Sequence, residues 1–245
     1  MTSPRRHLWI AAAAWAVLSI VGIVLVAGIQ IIPVIASREA VIENSAFVLL
    51  TIVSVPVLMF VVVGLAYSAL RFRANGDETD GPPVHGSRGF QSIWLGVSFA
   101  LVIGLFGYGA VGLIDIRGAQ SSDFEVQVRS EQWAWHFEYP DAGVVSKELH
   151  IPLGERVHLV INSDDVIHSF WVPAFGVKQD AVPGRPTQIY LTATVEGTYP
   201  GLCAELCGFG HTDMHLTVVV SGRAALESWL SQQPKPSPQP SGSPP

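Results

Sequence analysis

Charged residues are scarce in this sequence: Asp, Glu, Lys and Arg make up 14% of its 245 residues, whereas hydrophobic residues make up 49%. Such a low charged fraction is unusual for a soluble globular protein. Cysteine is scarce too, with two residues, and no Cys-x-x-Cys-His run occurs that could attach a c-type haem. The 14 basic residues are outnumbered by 20 acidic ones, so no basic patch indicates nucleic-acid binding.

Three long runs contain no charged residue at all: residues 8–36, 46–70 and 90–114. Each exceeds the length of about 20 residues that a helix needs to cross a bilayer. Five arginines lie before the first run or between the second and third runs: Arg5, Arg6, Arg71, Arg73 and Arg88. The segment between the first and second runs contains one, Arg38. Because basic loops stay in the cytoplasm, we predict a cytoplasmic N-terminus, a cytoplasmic loop at 71–89, and an outward-facing domain after residue 115.

The first apolar run supports two interpretations. Its Arg-rich start, and Val34 and Ala36 just before Ser37, resemble a signal peptide, but a run of this length exceeds the usual 7–15 apolar residues. We therefore expect residues 1–45 to be either a signal peptide or an extra transmembrane helix with a short outer loop. Residues 46–114 are predicted to form a transmembrane helical hairpin around the cytoplasmic loop.

After residue 115 the pattern changes to short segments of alternating hydrophobic and polar residues, such as FEVQVRS, RVHLVINS and HLTVVVS. This pattern, with turn sequences in between, predicts an antiparallel β-sandwich over residues 115–232. Residues 224–232 are predicted to form a short helix. The Pro- and Ser-rich tail, residues 233–245, is expected to be disordered.

One short loop carries the residues with the most distinctive chemistry. Cys203, Cys207, His211 and Met214 follow the spacing C-x3-C-x3-H-x2-M, and thiolate, thioether and imidazole ligands together suit copper. Two cysteines indicate two metal ions sharing both sulfurs, in which case a second imidazole is needed. The upstream candidate is His168, at the end of a predicted strand. A disulfide or a zinc site is the alternative, although Met is a poor zinc ligand.

The run CAELCGFGHTDM, with HSFWVPAFGVKQDAVPGR and QWAWHFEYP upstream, closely resembles subunit II of the haem-copper cytochrome c oxidases. The resemblance extends over about residues 46–230. It implies a membrane-anchored all-β protein: two core transmembrane helices, preceded here by one extra helix or signal segment, and followed by a cupredoxin-like Greek-key β-sandwich with a binuclear Cu-A centre. The sandwich would lie on the outer face of a bacterial-type cytoplasmic membrane.

The resemblance also implies roles for individual residues. The predicted Cu-A ligands for two copper ions are His168, Cys203, Glu205 (through its backbone carbonyl), Cys207, His211 and Met214. The Glu205 carboxylate would bind magnesium shared with the catalytic subunit, and Trp133 would be the residue at which electrons enter. Haem would be present only in the partner subunit.

The outer part of the chain is acidic. From Asp115 onward it contains 15 acidic and 8 basic residues, a net charge of −7. Such a face attracts a basic partner, although it is also what a solubilising surface looks like. The resemblance favours cytochrome c, with Glu138, Asp141, Asp165 and Asp180 as candidate docking residues.

The function implied by the resemblance is that of an oxidase subunit with no catalysis of its own. It would accept electrons from cytochrome c and pass them to the catalytic haem-copper oxidase subunit I, which reduces oxygen to water and translocates protons together with other oxidase subunits. Gln91 stands where the family commonly has a Glu near the proton input. Two alternatives stay open: the copper-bearing small subunit of a nitric oxide reductase, and a stand-alone membrane-bound copper electron carrier.

Overall fold

Three long apolar helices precede a β domain in the computed structural model, which describes residues 4–29, 34–73, 86–117 and 124–234. Helix α1 comprises Pro4–Gly28, α2 comprises Arg38–Arg71, and α3 comprises Arg88–Arg117. All three are long and apolar enough to cross a membrane. Most of the predicted 71–89 loop, and the predicted tail from residue 235 onward, lie outside the described residues.

Helix α1 packs closely against α2. The indole N–H of Trp15 donates a hydrogen bond of 2.8 Å to the carbonyl of Pro56. Gly22 faces Val55 so closely that a Cβ at this glycine would lie 2.7 Å from a Val55 methyl group. Close approach of backbones at small residues is a common basis for helix association in membranes, so α1 has a specific contact surface on α2.

The β domain consists of two five-stranded sheets. The strands of the first sheet are β1 Phe124–Glu131, β2 Ala134–Tyr139, β3 Val144–Ser146, β5 Arg156–Ser163 and β8 Thr187–Thr192. Those of the second are β4 Leu149–Pro152, β6 His168–Val172, β7 Val177–Ala181, β9 Gly197–Cys203 and β10 His215–Ser221. The order across the first sheet is β3-β2-β1-β5-β8, and across the second it is β4-β10-β9-β6-β7. Helix α4, Arg223–Gln232, follows β10.

Two strand pairs differ from the predicted antiparallel arrangement. Strand β1 pairs with β5, and β4 with β10, in parallel, so the antiparallel prediction is wrong for these pairs. Hairpins join strands in an antiparallel way, whereas parallel partners need a longer crossover. Between β1 and β5 the chain passes through β4 of the opposite sheet, and between β4 and β10 it passes through β5 and β8 of the opposite sheet. This crossing allows the parallel alignment.

The inner faces of the two sheets form one apolar core. Burial alternates along β5, as expected when one face of a strand packs inward. The largest fully buried side chains include Phe137 of the first sheet and Phe170 of the second, with Phe175 just beyond β6. This core gives a rigid support to the loops at the ends of the strands.

The segment between the first two helices is part of the β domain. We call residues 34–43 the strap; it forms one compact unit with the chain from residue 112 onward. The Ala36 N–H donates to the carbonyl of Ala174, and the Thr194 N–H donates to the carbonyl of Ala36, both at 2.8 Å. The Ser37 hydroxyl donates to the carbonyl of Phe175 at 2.7 Å. The predicted domain boundaries near residues 45, 115 and 232 stay predictions.

We expect the peptide bond between Ala36 and Ser37 to be intact in the mature protein. Both residues are fully buried. Hydrolysis would place the new ammonium group of Ser37 in this buried position, and burying an unpaired charge is costly. The intact mass of the chain purified from membranes should therefore include the residues before Ser37. A mature chain that begins at Ser37 would contradict this expectation.

Candidate metal centre

Strand pairing brings together the residues of the predicted copper site. Strand β9 ends at Cys203 and β10 begins at His215, and the loop between them carries the other cysteine, one histidine and the methionine. The Cys203 N–H donates to the carbonyl of Met214 at 3.0 Å, which closes the loop at its base. Because β6 pairs with β9 through Phe170 and Cys203, His168 at the start of β6 lies beside the loop.

The predicted donor atoms form one continuous cluster around the two sulfurs. The Sγ atoms of Cys203 and Cys207 are 3.8 Å apart. The Nδ1 of His168 lies 3.9 Å from Cys203 Sγ, and the Nδ1 of His211 lies 3.6 Å from Cys207 Sγ. Two weaker donors complete the cluster: the Met214 sulfur is 3.8 Å from Cys207 Sγ, and the Glu205 carbonyl oxygen is 3.3 Å from Cys203 Sγ.

The chemistry of this cluster suits a soft metal cation. His168, Met214 and both cysteines are at most 3% exposed. Burial raises the pKa of the Cys207 thiol to about 11, and the neighbouring Cys203 thiol acts in the same direction. Two buried thiolates side by side therefore need a bound cation to balance their charge. Thiolates, imidazoles and a thioether together are ligands for copper, so the residues fit copper binding; their individual roles stay predictions.

Asp165 orients the imidazole of His168. Its Oδ1 lies 2.9 Å from His168 Nε2, which leaves Nδ1 directed at Cys203. Burial alone would raise the pKa of Asp165, but hydrogen bonds from His168 and from the amides of Val166 and Gln132 outweigh it and lower the pKa. The carboxylate is therefore ionised at neutral pH. Carboxylates in this position fix the ring orientation and basicity of a metal-binding histidine.

Trp133 connects the cluster with the protein surface. Its side chain is partly exposed, and its indole N–H donates to the carbonyl of Cys207 at 3.3 Å. The neighbouring Gln132 side chain donates to the same carbonyl at 2.7 Å, while the Gln132 backbone N–H donates to Asp165 Oδ2, also at 2.7 Å. Gln132 thus links Asp165, the hydrogen-bond partner of His168, with the backbone of Cys207. The sequence did not indicate this role.

Two glycines leave space for this arrangement. A Cβ at Gly210 would lie 2.5 Å from Cδ2 of Trp133, and a Cβ at Gly208 would lie 3.0 Å from Nε2 of Gln132. Gly208 also has a φ of +117°, which residues with side chains rarely adopt. In the sequence, the two glycines of CGFG are the feature that indicates close packing of other side chains, here those of Trp133 and Gln132, on this loop.

The remaining predicted site residues lie at the surface. The Glu205 side chain, Asp141 and Asp180 are exposed. Glu138 forms an ion pair with Arg129 at 3.2 Å, and Asp180 accepts a hydrogen bond from the Ser169 hydroxyl at 2.7 Å. Of the four candidate docking residues, only Asp165 contacts a predicted copper ligand by a hydrogen bond among the described residues. The docking and magnesium roles stay predictions.

Sequence comparisons identify relatives of this chain. The family profile described as "Cytochrome C oxidase subunit II, periplasmic domain" matches residues 142–221. Cytochrome c oxidase subunit 2 of Thermostichus vulcanus is 51% identical over 118 residues, which cover 48% of this chain and 36% of that protein. Cytochrome c oxidase subunit 2 of Synechocystis sp. is 27% identical over 249 residues, covering 82% of this chain and 75% of that one.

A solved structure is similar as well. The crystal structure of the periplasmic domain of subunit II of cytochrome oxidase of Bradyrhizobium japonicum shares 30% identity, with a TM-score of 0.44. The match covers 46% of this chain and 95% of that domain. The matched region spans about a third of the Thermostichus relative and three quarters of the Synechocystis one.

Replacing Asp165 by Asn should weaken copper binding by about 10–100-fold, the usual effect of removing such a partner of a metal-binding histidine. The amide keeps the size of the side chain but removes the negative charge beside His168. The copper dissociation constant, measured by competition with a chelator, gives the result.

Asp164→Asn is the matched control, because Asp164 pairs with Arg129 at 2.7 Å instead. Equal copper affinity in the Asp165→Asn variant and the wild type would leave Asp165 with a surface role only.

Replacing Gly210 by Ala should displace the Trp133 indole. Gly210 has an ordinary φ of −89°, so the effect is steric, and overpacking of this kind costs about 1–3 kcal/mol of stability. Urea unfolding of the metal-free chain, followed by circular dichroism, measures the loss. Gly222→Ala is the control, since its φ is −59° and the nearest atom to its Cβ would be 3.5 Å away. Equal losses in both variants would contradict close packing of Trp133 on Gly210.

Proposed function

We propose that this chain is a member of the cytochrome c oxidase subunit II family, which its relatives and the matching profile support, and that it is the subunit through which electrons enter a haem-copper terminal oxidase. It accepts electrons one at a time from cytochrome c and passes them to haem in the catalytic subunit. That partner reduces oxygen to water and couples the reaction to proton translocation. The chain itself supplies the receiving site and the membrane anchor and carries out no catalysis alone.

The donor set supports two copper ions. The cluster offers six donor atoms: the two cysteine sulfurs, two imidazole nitrogens, one thioether sulfur and one carbonyl oxygen. If both sulfurs are shared, each ion has two thiolates, one imidazole and one weaker donor, which makes four ligands apiece. Bound copper supplies a one-electron carrier at this position.

The observation that carries the proposal is the hydrogen bond from Trp133 to the carbonyl of Cys207. It gives a continuous connection from a partly exposed aromatic ring to a copper ligand. Gln132 and Asp165 hold this connection in place from both sides. The acidic surface of the outer domain supports a basic electron donor, since opposite charges speed encounter.

The anchor and its partners follow from the same proposal. We propose that α2 and α3 lie against the catalytic subunit and that the β domain lies on the outer face of a bacterial-type cytoplasmic membrane. The exposed Glu205 carboxylate is available to bind magnesium at the contact with that subunit, and its backbone carbonyl faces Cys203.

The full-length chain, loaded with copper, should bind two copper ions and give an electron paramagnetic resonance signal from one electron shared over two copper nuclei. Cys203→Ser and Cys207→Ser should each abolish that signal, because each removes a shared ligand. His211→Gln should alter it, whereas His215→Gln should not, since His215 is exposed on β10. The full chain is used because the strap packs in the β domain. One copper ion per chain, or retention of the shared signal in a serine variant, would contradict the proposal.

Trp133→Leu should lower kcat of the assembled oxidase with cytochrome c and leave the copper signal unchanged. The substitution removes the ring at which electrons enter but no copper ligand. Asp141→Asn is the contrasting variant, because loss of an exposed charge should raise KM and leave kcat unchanged. Steady-state oxygen consumption separates the two parameters. An unchanged kcat for the Trp133 variant would refute the assigned path.

A further inference from the structure

A crevice of about 520 Å³ lies between α1 and α2. Small and aliphatic side chains form its walls: Ala11, Ala14 and Leu18 of α1, with Val63 and Ala66 of α2. The two helices stay in contact beside it through the hydrogen bond from Trp15 to Pro56. The crevice is therefore a feature of a packed helix pair that leaves room for an elongated apolar group.

Its length corresponds to one leaflet of a bilayer. On α1 it extends from His7 to Leu18, and eleven residues at 1.5 Å each span about 16 Å. The hydrocarbon core of a bilayer is about 30 Å thick, so one leaflet is about 15 Å deep. An acyl chain that lies parallel to the helices fits this depth.

The polar groups of the crevice lie at one end. His7, Tyr67 and Arg71 line it there, and Arg71, in the last turn of α2, is exposed. No Asp or Glu occurs among the described residues that line it. The distribution of arginines places this end at the cytoplasmic side. A basic pocket between membrane helices at that side suits an anionic lipid headgroup.

A second crevice on the same helix pair provides an internal contrast. It measures about 310 Å³ and is lined by Ala12, Trp15, Phe60 and Gly64, among other residues; none of its lining residues in the described part of the chain is charged. It offers space for a hydrocarbon chain but nothing that would select a headgroup. Selectivity for charge is thus expected in the larger crevice alone.

We propose that the larger crevice binds one anionic phospholipid of the inner leaflet, with its phosphate at Arg71 and an acyl chain along Ala11 and Ala14. The bound lipid fills the gap between α1 and α2 and thereby stabilises the attachment of α1. This site is independent of the copper cluster and of the proposed oxidase function.

Native mass spectrometry of the full-length chain, purified in detergent and supplied with phosphatidylglycerol or phosphatidylcholine, tests the proposal. We expect one phosphatidylglycerol to be retained in preference to phosphatidylcholine. Arg71→Gln should reduce its retention about five-fold, as expected for one arginine near a charged headgroup, and Arg71→Lys should restore it. Ala14→Leu should fill the crevice and expel the lipid, whereas Ala12→Leu, on the other crevice, should not.

Three outcomes would overturn the proposal. They are equal retention of both lipids, retention of phosphatidylglycerol unaffected by Arg71→Gln, and a chain mass that lacks α1. Since Ala14→Leu could also separate the two helices, the Arg71 variants decide the question, because they leave the helix contact unchanged.

Discussion

The burial of two thiols side by side is the constraint on which the rest of the outer domain depends. Cys203 and Cys207 lie 3.8 Å apart and are almost completely buried, and this burial raises the pKa of the Cys207 thiol. Metal binding and the β domain are therefore linked: the sandwich holds the sulfurs in place, and a bound cation balances the charge of thiolates there. The pairing of β6 with β9 and the closed base of the loop supply this arrangement.

A network of hydrogen bonds joins the two halves of the cluster. Asp165 contacts His168 on one side, and Gln132 contacts the carbonyl of Cys207 on the other, while the Gln132 amide donates to Asp165. Gln132 thus connects both halves of the cluster, and Trp133, at which electrons are proposed to enter, follows it directly in the sequence. The position of Trp133 and the orientation of a predicted ligand are set by the same few contacts.

Local sequence predicted much of this site, because five of the six donors lie within twelve residues, Cys203 to Met214. The role of Asp165 could not be predicted: a carboxylate three residues before His168 can face solvent or the ring, and only the turn decides which. Gln132 and Gly210 depend on contacts across more than 70 residues of sequence. Strands β3 and β4 are too short for a periodic pattern, and β9 contains glycine and proline, which are unfavourable in strands.

The strap shows how a tertiary contact bears on a question that the sequence left open. Gly176, with φ +61°, follows the turn Pro173–Phe175 at the end of β6, and a Cβ there would lie 2.8 Å from Cα of Ala40. The strap thus packs on the turn that ends the strand carrying His168. Val34 and Ala36 resemble the residues before a signal-peptide cleavage site, but the Ala36 amide and carbonyl groups are both hydrogen-bonded within the β domain. The groups on both sides of the Ala36–Ser37 peptide bond are part of the folded β domain. Their burial disfavours cleavage of this bond and favours α1 as a permanent membrane helix.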